Sequence, residues 1–186
     1  MALRRVLRID DEGDKKVLKT HCRPVKLPDR AMKQLVADMF ATMHAANGVG
    51  LAAPQVGLTI QLCIVGIPAE IEEQEDGTQV EVAPAEEYVF FNPKIVKVSG
   101  EEVLREEGCL SLPGWYGEVP RYTWVTVEFQ DITGKARRLR KADGLLGWVI
   151  QHEVDHLNGI LFTERIRDLS TLRDANAETE PANVSA

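Results

Sequence analysis

Gln151-His152-Glu153-Val154-Asp155-His156 is the stretch on which the reading of this chain turns. On a helix, residues four apart lie on one face, one turn above the other. His152 and His156 therefore present two imidazole nitrogens to one ion. Glu153 stands beside the first histidine, where a carboxylate can take a proton from metal-bound water. Two ligands do not complete a hydrolytic site, which needs a third protein ligand and one open position.

Downstream, His152-Glu153-Val154-Asp155-His156-Leu157-Asn158-Gly159-Ile160-Leu161-Phe162 follows the metzincin continuation as far as Gly159 and departs from it at Phe162, which has no metal-binding atom. Glu178 and Glu180 stand at roughly the distance of a thermolysin-type glutamate, but in a polar stretch with no helical apolar stripe. His21 and His44 lie far upstream. Cys109 remains, in Glu106-Glu107-Gly108-Cys109-Leu110-Ser111-Leu112-Pro113, bracketed by turn formers. A thiolate there would close a Cys-His-His set with an open fourth position.

Asp143-Gly144 opens the motif's helix and Asn158-Gly159 closes it. Leu145, Trp148, Val149, His152, Glu153 and His156 fall along one side, so its histidines are expected to face a core or an enclosed cleft. Tyr122 to Gln130 alternates in the strand manner, Asp131 to Gly134 turns the chain, and Lys135 to Lys141 returns as a hairpin partner. The basic cluster Lys135, Arg137, Arg138, Arg140 and Lys141 reads as a charged sheet edge. Glu87 to Val98 reads as one or two strands broken near Asn92-Pro93, and Ile60 to Ile67 as a buried strand. Glu70 to Glu87 is acidic, with Asp76-Gly77 as a turn signal, and is expected to be a solvated loop or hairpin. Pro28 to Ala46 reads as a helix, because Met32, Leu35, Val36, Met39, Phe40 and Met43 recur at three- and four-residue steps. Leu169 to Ala186 is polar and is expected to fray.

A chain of 186 residues, 44% hydrophobic and 27% charged, suits one soluble domain with a sizeable core. The net charge of −7 argues against broad nucleic-acid binding, which needs clustered Lys and Arg. No apolar run approaches the ~20 residues of a membrane span, and Met1 to Asp10 lacks the features of a secretory signal. Three widely spaced cysteines do not suggest a disulfide framework. A reducing cytoplasm fits, and would keep Cys109 reduced; Cys22 and Cys63 read as packing residues.

Gly48-Val49-Gly50-Leu51-Ala52-Ala53-Pro54-Gln55 sets two glycines before small residues, which lets a backbone approach another group closely. It lacks the third glycine and preceding strand of a dinucleotide loop. Together with Glu107 to Ser111 and Gln151 to His156, this segment resembles the peptide deformylase family, whose members carry these three motifs in this order. The resemblance runs from about Val6 to Asp168. It implies an α+β fold of mostly antiparallel sheets packed around a central metal-binding helix, with the long helix near the N-terminus. It implies one catalytic domain over residues 1–168 and a short polar tail at 169–186. It further implies a hydrolase that takes the formyl group from the N-terminal methionine of new polypeptides and releases formate.

By the same resemblance, Cys109, His152 and His156 hold one divalent ion, ferrous iron in the cell; the donor set by itself also suits zinc, nickel or cobalt. Glu153 would accept and deliver protons, with the Leu110 backbone N–H and the Gln55 side-chain amide as donors to the tetrahedral oxygen. Val49, Gly50 and Gly108 could meet an extended peptide as an added strand, and Leu145, Trp148 and Val149 would wall the methionine pocket. Asp155 and Glu107 could orient the ligand histidines, with Arg121 as a further partner, or form an ordinary salt bridge; both readings stay open. Arg105 and the bulky Trp148 sit near that pocket and bear on its size. The expected partners are N-formyl-methionyl peptides, with the ribosome as a candidate, although residues 169–186 do not match the long C-terminal helix by which some members dock. No membrane partner is expected. Two other readings stay open. A His-Glu-x-x-His metallopeptidase would leave Cys109 and the Gly48–Gln55 loop without a role. A non-catalytic metal-sensing or peptide-binding domain would have no use for Glu153.

Overall fold

The computed structural model describes residues 1–74, 76–175 and 177 of the chain. In chain order the elements are helices α1 (Glu12–Leu18) and α2 (Ala31–Ala45), then strands β1 (Gly50–Ala52), β2 (Leu62–Ile67), β3 (Glu70–Glu73), β4 (Gln79–Ala83), β5 (Glu86–Val98), β6 (Glu102–Cys109), β7 (Leu112–Tyr122), β8 (Trp124–Gln130) and β9 (Ala136–Asp143), then helix α3 (Gly144–Leu157) and strand β10 (Arg173–Asp174). The fold is α+β with antiparallel sheets.

The central sheet has the order β1-β2-β5-β8-β9. β2 is apolar from Leu62 to Val65 because both its faces are covered, and the period-two alternation of a strand sorts its side chains. Leu62 and Ile64 pack with Leu35, Val36, Met39 and Met43 of α2. Cys63 and Val65 pack with Val149, Ile150 and Leu157 of α3. Phe90 and Phe91 of β5 divide between the two layers in the same way. The sheet is thus filled on both faces, at about 1.5–3 kcal/mol for each fully buried large apolar side chain.

The second sheet, β10-β7-β6, meets α3 from the other side. Gln151 fastens the helix to it. Its Nε2 donates to the carbonyls of Tyr122 and Gly147, at 3.0 Å each, and its Oε1 accepts the Tyr122 N–H at 3.0 Å.

Several elements differ from the sequence reading. α2 starts at Ala31 rather than Pro28, because the Asp29 carboxylate accepts the Ala31 N–H at 2.8 Å and closes a local turn first. β5 runs unbroken through Asn92-Pro93. The chain bulges there, with Asn92 at φ 51° and a register shift against β8 between Phe91 and Lys94. The Asn92 side chain secures the bulge through the Val25 N–H (2.8 Å) and carbonyl (2.9 Å). The acidic stretch, by contrast, forms an exposed hairpin of β3 and β4, one of the two forms expected for it. α1, capped by the Asp11 carboxylate on the N–H groups of Gly13 and Asp14, and the β6–β7 hairpin lie outside that reading altogether. The chain beyond Asp168 does not fray at once. Leu169–Thr171 forms a 3₁₀ turn and β10 pairs with Trp115 and Tyr116, which covers the outer edge of β7. Residues 176 and 178–186 of the expected tail lie outside the described residues. No helix of the described residues is long and apolar enough to cross a membrane.

Candidate metal centre and cleft

Cys109 ends β6, and His152 and His156 lie one turn apart on α3, against which β6 is laid. One donor atom from each of the three falls within 4.8 Å of the others. Cys109 Sγ stands 3.2 Å from His156 Nε2. With metal–sulfur bonds of about 2.3 Å and metal–nitrogen bonds of about 2.0–2.1 Å, tetrahedral donors sit about 3.3–3.6 Å apart, so the set is compact enough for one ion. Burial alone would raise the Cys109 thiol, but the nearby rings of His156 and His152 outweigh it and hold the thiol well below its ordinary value. The lowering favours the thiolate, which is the form that binds metal. Phe162, the residue in the metzincin histidine's place, is a packing residue beside His152, with ring centroids 6.2 Å apart.

The tautomer of His152 is fixed from behind. Its Nδ1 donates to Glu107 Oε2 at 2.8 Å, which leaves Nε2 for the metal side. Arg121 holds that carboxylate with two bonds, Nε to Oε1 at 2.6 Å and an Nη to Oε2 at 3.0 Å. Burial pushes Glu107 up, and the hydrogen bonds from His152 and Arg121 more than reverse this, lowering it to about 2. Of its two open readings, Asp155 takes the salt bridge. It touches neither ring, and instead accepts from Arg121 at 2.7 Å and from Arg165 at 2.6 and 3.1 Å. The reason is helical: Asp155 projects from α3 away from the cleft. Arg165 has no signal in the sequence reading.

Glu153 is 3% exposed, and its Oε2 has no hydrogen-bond partner among the described residues. Burial is the main cause that pushes its carboxyl up to about 7. The β1 backbone crosses directly above it, where a Cβ on Gly50 would collide with Glu153 and with Val149. That close approach is what the second glycine of the Gly48–Gln55 motif permits. Gln55 is held rigidly. Its Oε1 accepts the Ala52 N–H at 2.8 Å, and its Nε2 donates to Ser111 Oγ at 3.2 Å and faces Cys109 Sγ at 3.5 Å.

These groups form the floor of a cleft of about 510 Å³. Val49, Gly50, Gln55, Gly108, Leu110, Leu145, Trp148 and Val149 all line it, as do Arg105, Trp115 and Tyr116. Trp115 and Tyr116 were beyond sequence reasoning, because only the β7 hairpin brings them there. The two long walls are β1, the edge of the central sheet, and β6, the edge of the second sheet. An extended chain laid between them could pair with either edge. A buried carboxylate with a neutral-range proton, three metal-binding atoms and a peptide-width slot can together hydrolyse an amide.

The sequence pattern of the polypeptide deformylase family matches residues 4–171. The chain belongs to the peptide deformylase family. A deformylase from Chloroflexus aggregans is 74% identical over 186 residues, covering 100% of this chain and 99% of the relative. One from Roseiflexus sp. is 63% identical over 181 residues, covering 97% and 98%. Among solved structures, the Met-Ala-Ser-bound class I type b deformylase of Acinetobacter baumannii superposes with a TM-score of 0.73 at 36% identity, covering 89% of this chain and 99% of that one. Membership makes the protein an enzyme that removes an N-terminal formyl group. The metallopeptidase reading gains no support from these deformylase matches.

Proposed function

We propose that this deformylase hydrolyses the formyl amide of N-formyl-methionyl peptides, as they leave synthesis, with one divalent ion held by Cys109 Sγ, His152 Nε2 and His156 Nε2. The observation that carries the reading is Glu153: a buried carboxylate, unpartnered at one oxygen, beside a sulfur and two ring nitrogens at the floor of a peptide-width cleft. An ion on that set supplies Lewis acidity and lowers the pKa of a water towards neutrality. We take the ion to be ferrous iron on the family resemblance; a thiolate with two imidazoles accepts zinc, nickel or cobalt as well.

The chain's own groups do the rest. Glu153 takes the proton of the attacking water and passes it to the departing amine nitrogen, so that formate and a free methionine amine result. A carboxyl poised near neutrality suits both halves of that transfer. The Gln55 amide and the Leu110 N–H face the place where negative charge develops on the former carbonyl oxygen. Val49, Gly50 and Gly108 offer backbone groups to the peptide, and Leu145, Trp148 and Val149 receive the methionine side chain. Met-Ala-Ser on the Acinetobacter relative, a peptide with the product's free methionine end, supports this occupant. We assign the chemistry to residues 1–168, place it in the cytoplasm, where a thiolate ligand stays reduced, and keep the ribosome as a candidate partner.

Metal-loaded protein should release formate from formyl-Met-Ala and leave an unblocked peptide intact. Glu153→Ala should keep its metal content while turnover falls by about 10²–10⁴. Normal turnover in that variant, or cleavage of the unblocked peptide, would overturn the reading.

A further inference from the structure

We propose that Arg105 makes this enzyme prefer substrates whose third residue is acidic. The inference rests on the peptide-binding reading above and deepens it. Arg105 lies on β6, on the same face as Glu107 and Cys109 by the two-residue period of a strand. That face is laid along α3, so the three side chains meet the helix in succession: Cys109 at His156, Glu107 at His152, and Arg105 at Trp148. The Arg105 guanidinium lies 3.8 Å from the Trp148 ring centroid, a stacked cation–π contact. Both residues line the cleft.

Among the described residues the Arg105 guanidinium makes no hydrogen bond or ion pair and is held by this stack. The other charges of the cleft are already satisfied or sequestered. Glu106 pairs with Arg173 at 3.0 Å, Glu107 is held by Arg121, and Glu153 is buried. An exposed positive charge with no counter-charge among the described residues therefore stands on the rim of a cleft in a chain of net charge −7.

The register follows from strand geometry. The formyl carbon must sit at Cys109 and Glu153, so the peptide leaves that point along the β6 edge toward Arg105, which is four residues and about 13 Å away. Side chains one and three of an added strand project to the same side, about 7 Å apart. The first enters the pocket walled by Leu145, Trp148 and Val149. The third then comes down on the far side of the Trp148 indole, where the guanidinium lies. A carboxylate there meets Arg105; an ammonium is repelled by it.

The test uses the metal-loaded enzyme and three C-terminally amidated peptides, formyl-Met-Ala-Glu, formyl-Met-Ala-Gln and formyl-Met-Ala-Lys. For a solvent-exposed pair, kcat/KM for the Glu peptide should exceed that for the Lys peptide by about three- to tenfold at low salt. The ratio should shrink toward one at about 1 M salt, where the screening length is about 3 Å. Arg105→Gln should bring the low-salt ratio near one and Arg105→Glu should invert it. Each ratio is read within one variant, so a general loss of activity cancels. Calorimetric binding of the products Met-Ala-Glu-amide and Met-Ala-Lys-amide should show the same order without turnover. A wild-type ratio of one, or an Arg105→Glu ratio equal to that of wild type, overturns the proposal. Equal formate from all three peptides would sink this inference and leave the deformylase reading standing; no formate from any would sink that reading itself.

Discussion

Replacing Gly50 with alanine adds one methyl group where the cleft floor has no room for it. The β1 backbone at Gly50 is ordinary strand, without a positive φ, so alanine brings no dihedral strain. The whole effect comes from the Cβ. It would lie 2.6 Å from Val149 Cγ1 and 2.9 Å from Glu153 Cδ, where ordinary contact begins at 3.4 Å. The neighbours cannot absorb the difference easily, since Val149 is 7% and Glu153 3% exposed. Overpacking of this kind costs about 1–3 kcal/mol of stability. The larger effect falls on function, because moving a catalytic group by about 1 Å costs about 10²-fold in rate. Formate release and thermal unfolding should be measured together with metal content. Gly100→Ala serves as the control, since nothing lies within 4 Å of a Cβ there. The expected result is a metal-loaded, folded Gly50→Ala protein with a collapsed turnover. Turnover equal to that of Gly100→Ala would refute the placement of Glu153 beneath β1.

Gln55→Ala should lower kcat by about 10²–10³ through the lost amide donor and stability by about 1 kcal/mol through the lost bond to Ala52; a melting change without a rate change would make Gln55 purely structural. Glu107 is held down to about 2 in the folded chain, below the unfolded carboxylate value of about 4.3. Its contribution is therefore complete above that unfolded value and is lost as pH falls toward about 2. The Tm of the wild type should drop more steeply through this acid window than that of Glu107→Gln, and parallel curves would count against the network. Stripping the ion with a chelator should abolish formate release and lower Tm, because a ligand that binds only the folded state stabilises it; activity in protein shown by analysis to be metal-free would contradict the assigned centre.

The two histidines were legible because a four-residue spacing on a helix carries its own geometry. Cys109 was legible only by elimination and by resemblance, since the meeting of β6 with α3 depends on the whole topology. β2 and α2 showed themselves through apolar patterns that burial requires. β6 did not, because Glu102, Leu104, Arg105 and Glu106 are exposed and give no alternation. The same exposure hid the pairing of β6 with β7, and with it the arrival of Trp115 and Tyr116 in the cleft. For Asp155 the motif leaves ring orientation and a salt bridge equally open, and only the helical turn, which sends it toward Arg121 and Arg165, decides between them. The bulge at Asn92 was visible as a Pro signal but read as a break; a bulge keeps the strand and changes only its register.

The slot between β1 and β6 has a temporal implication. Main-chain amides and carbonyls can be matched there only by a stretch that has not yet committed its own to a helix or sheet. A mature protein whose first residues are packed away offers nothing to thread. On the proposed edge pairing, such an enzyme works on a deadline: its substrate pool is the set of polypeptides whose beginning is still loose enough to thread.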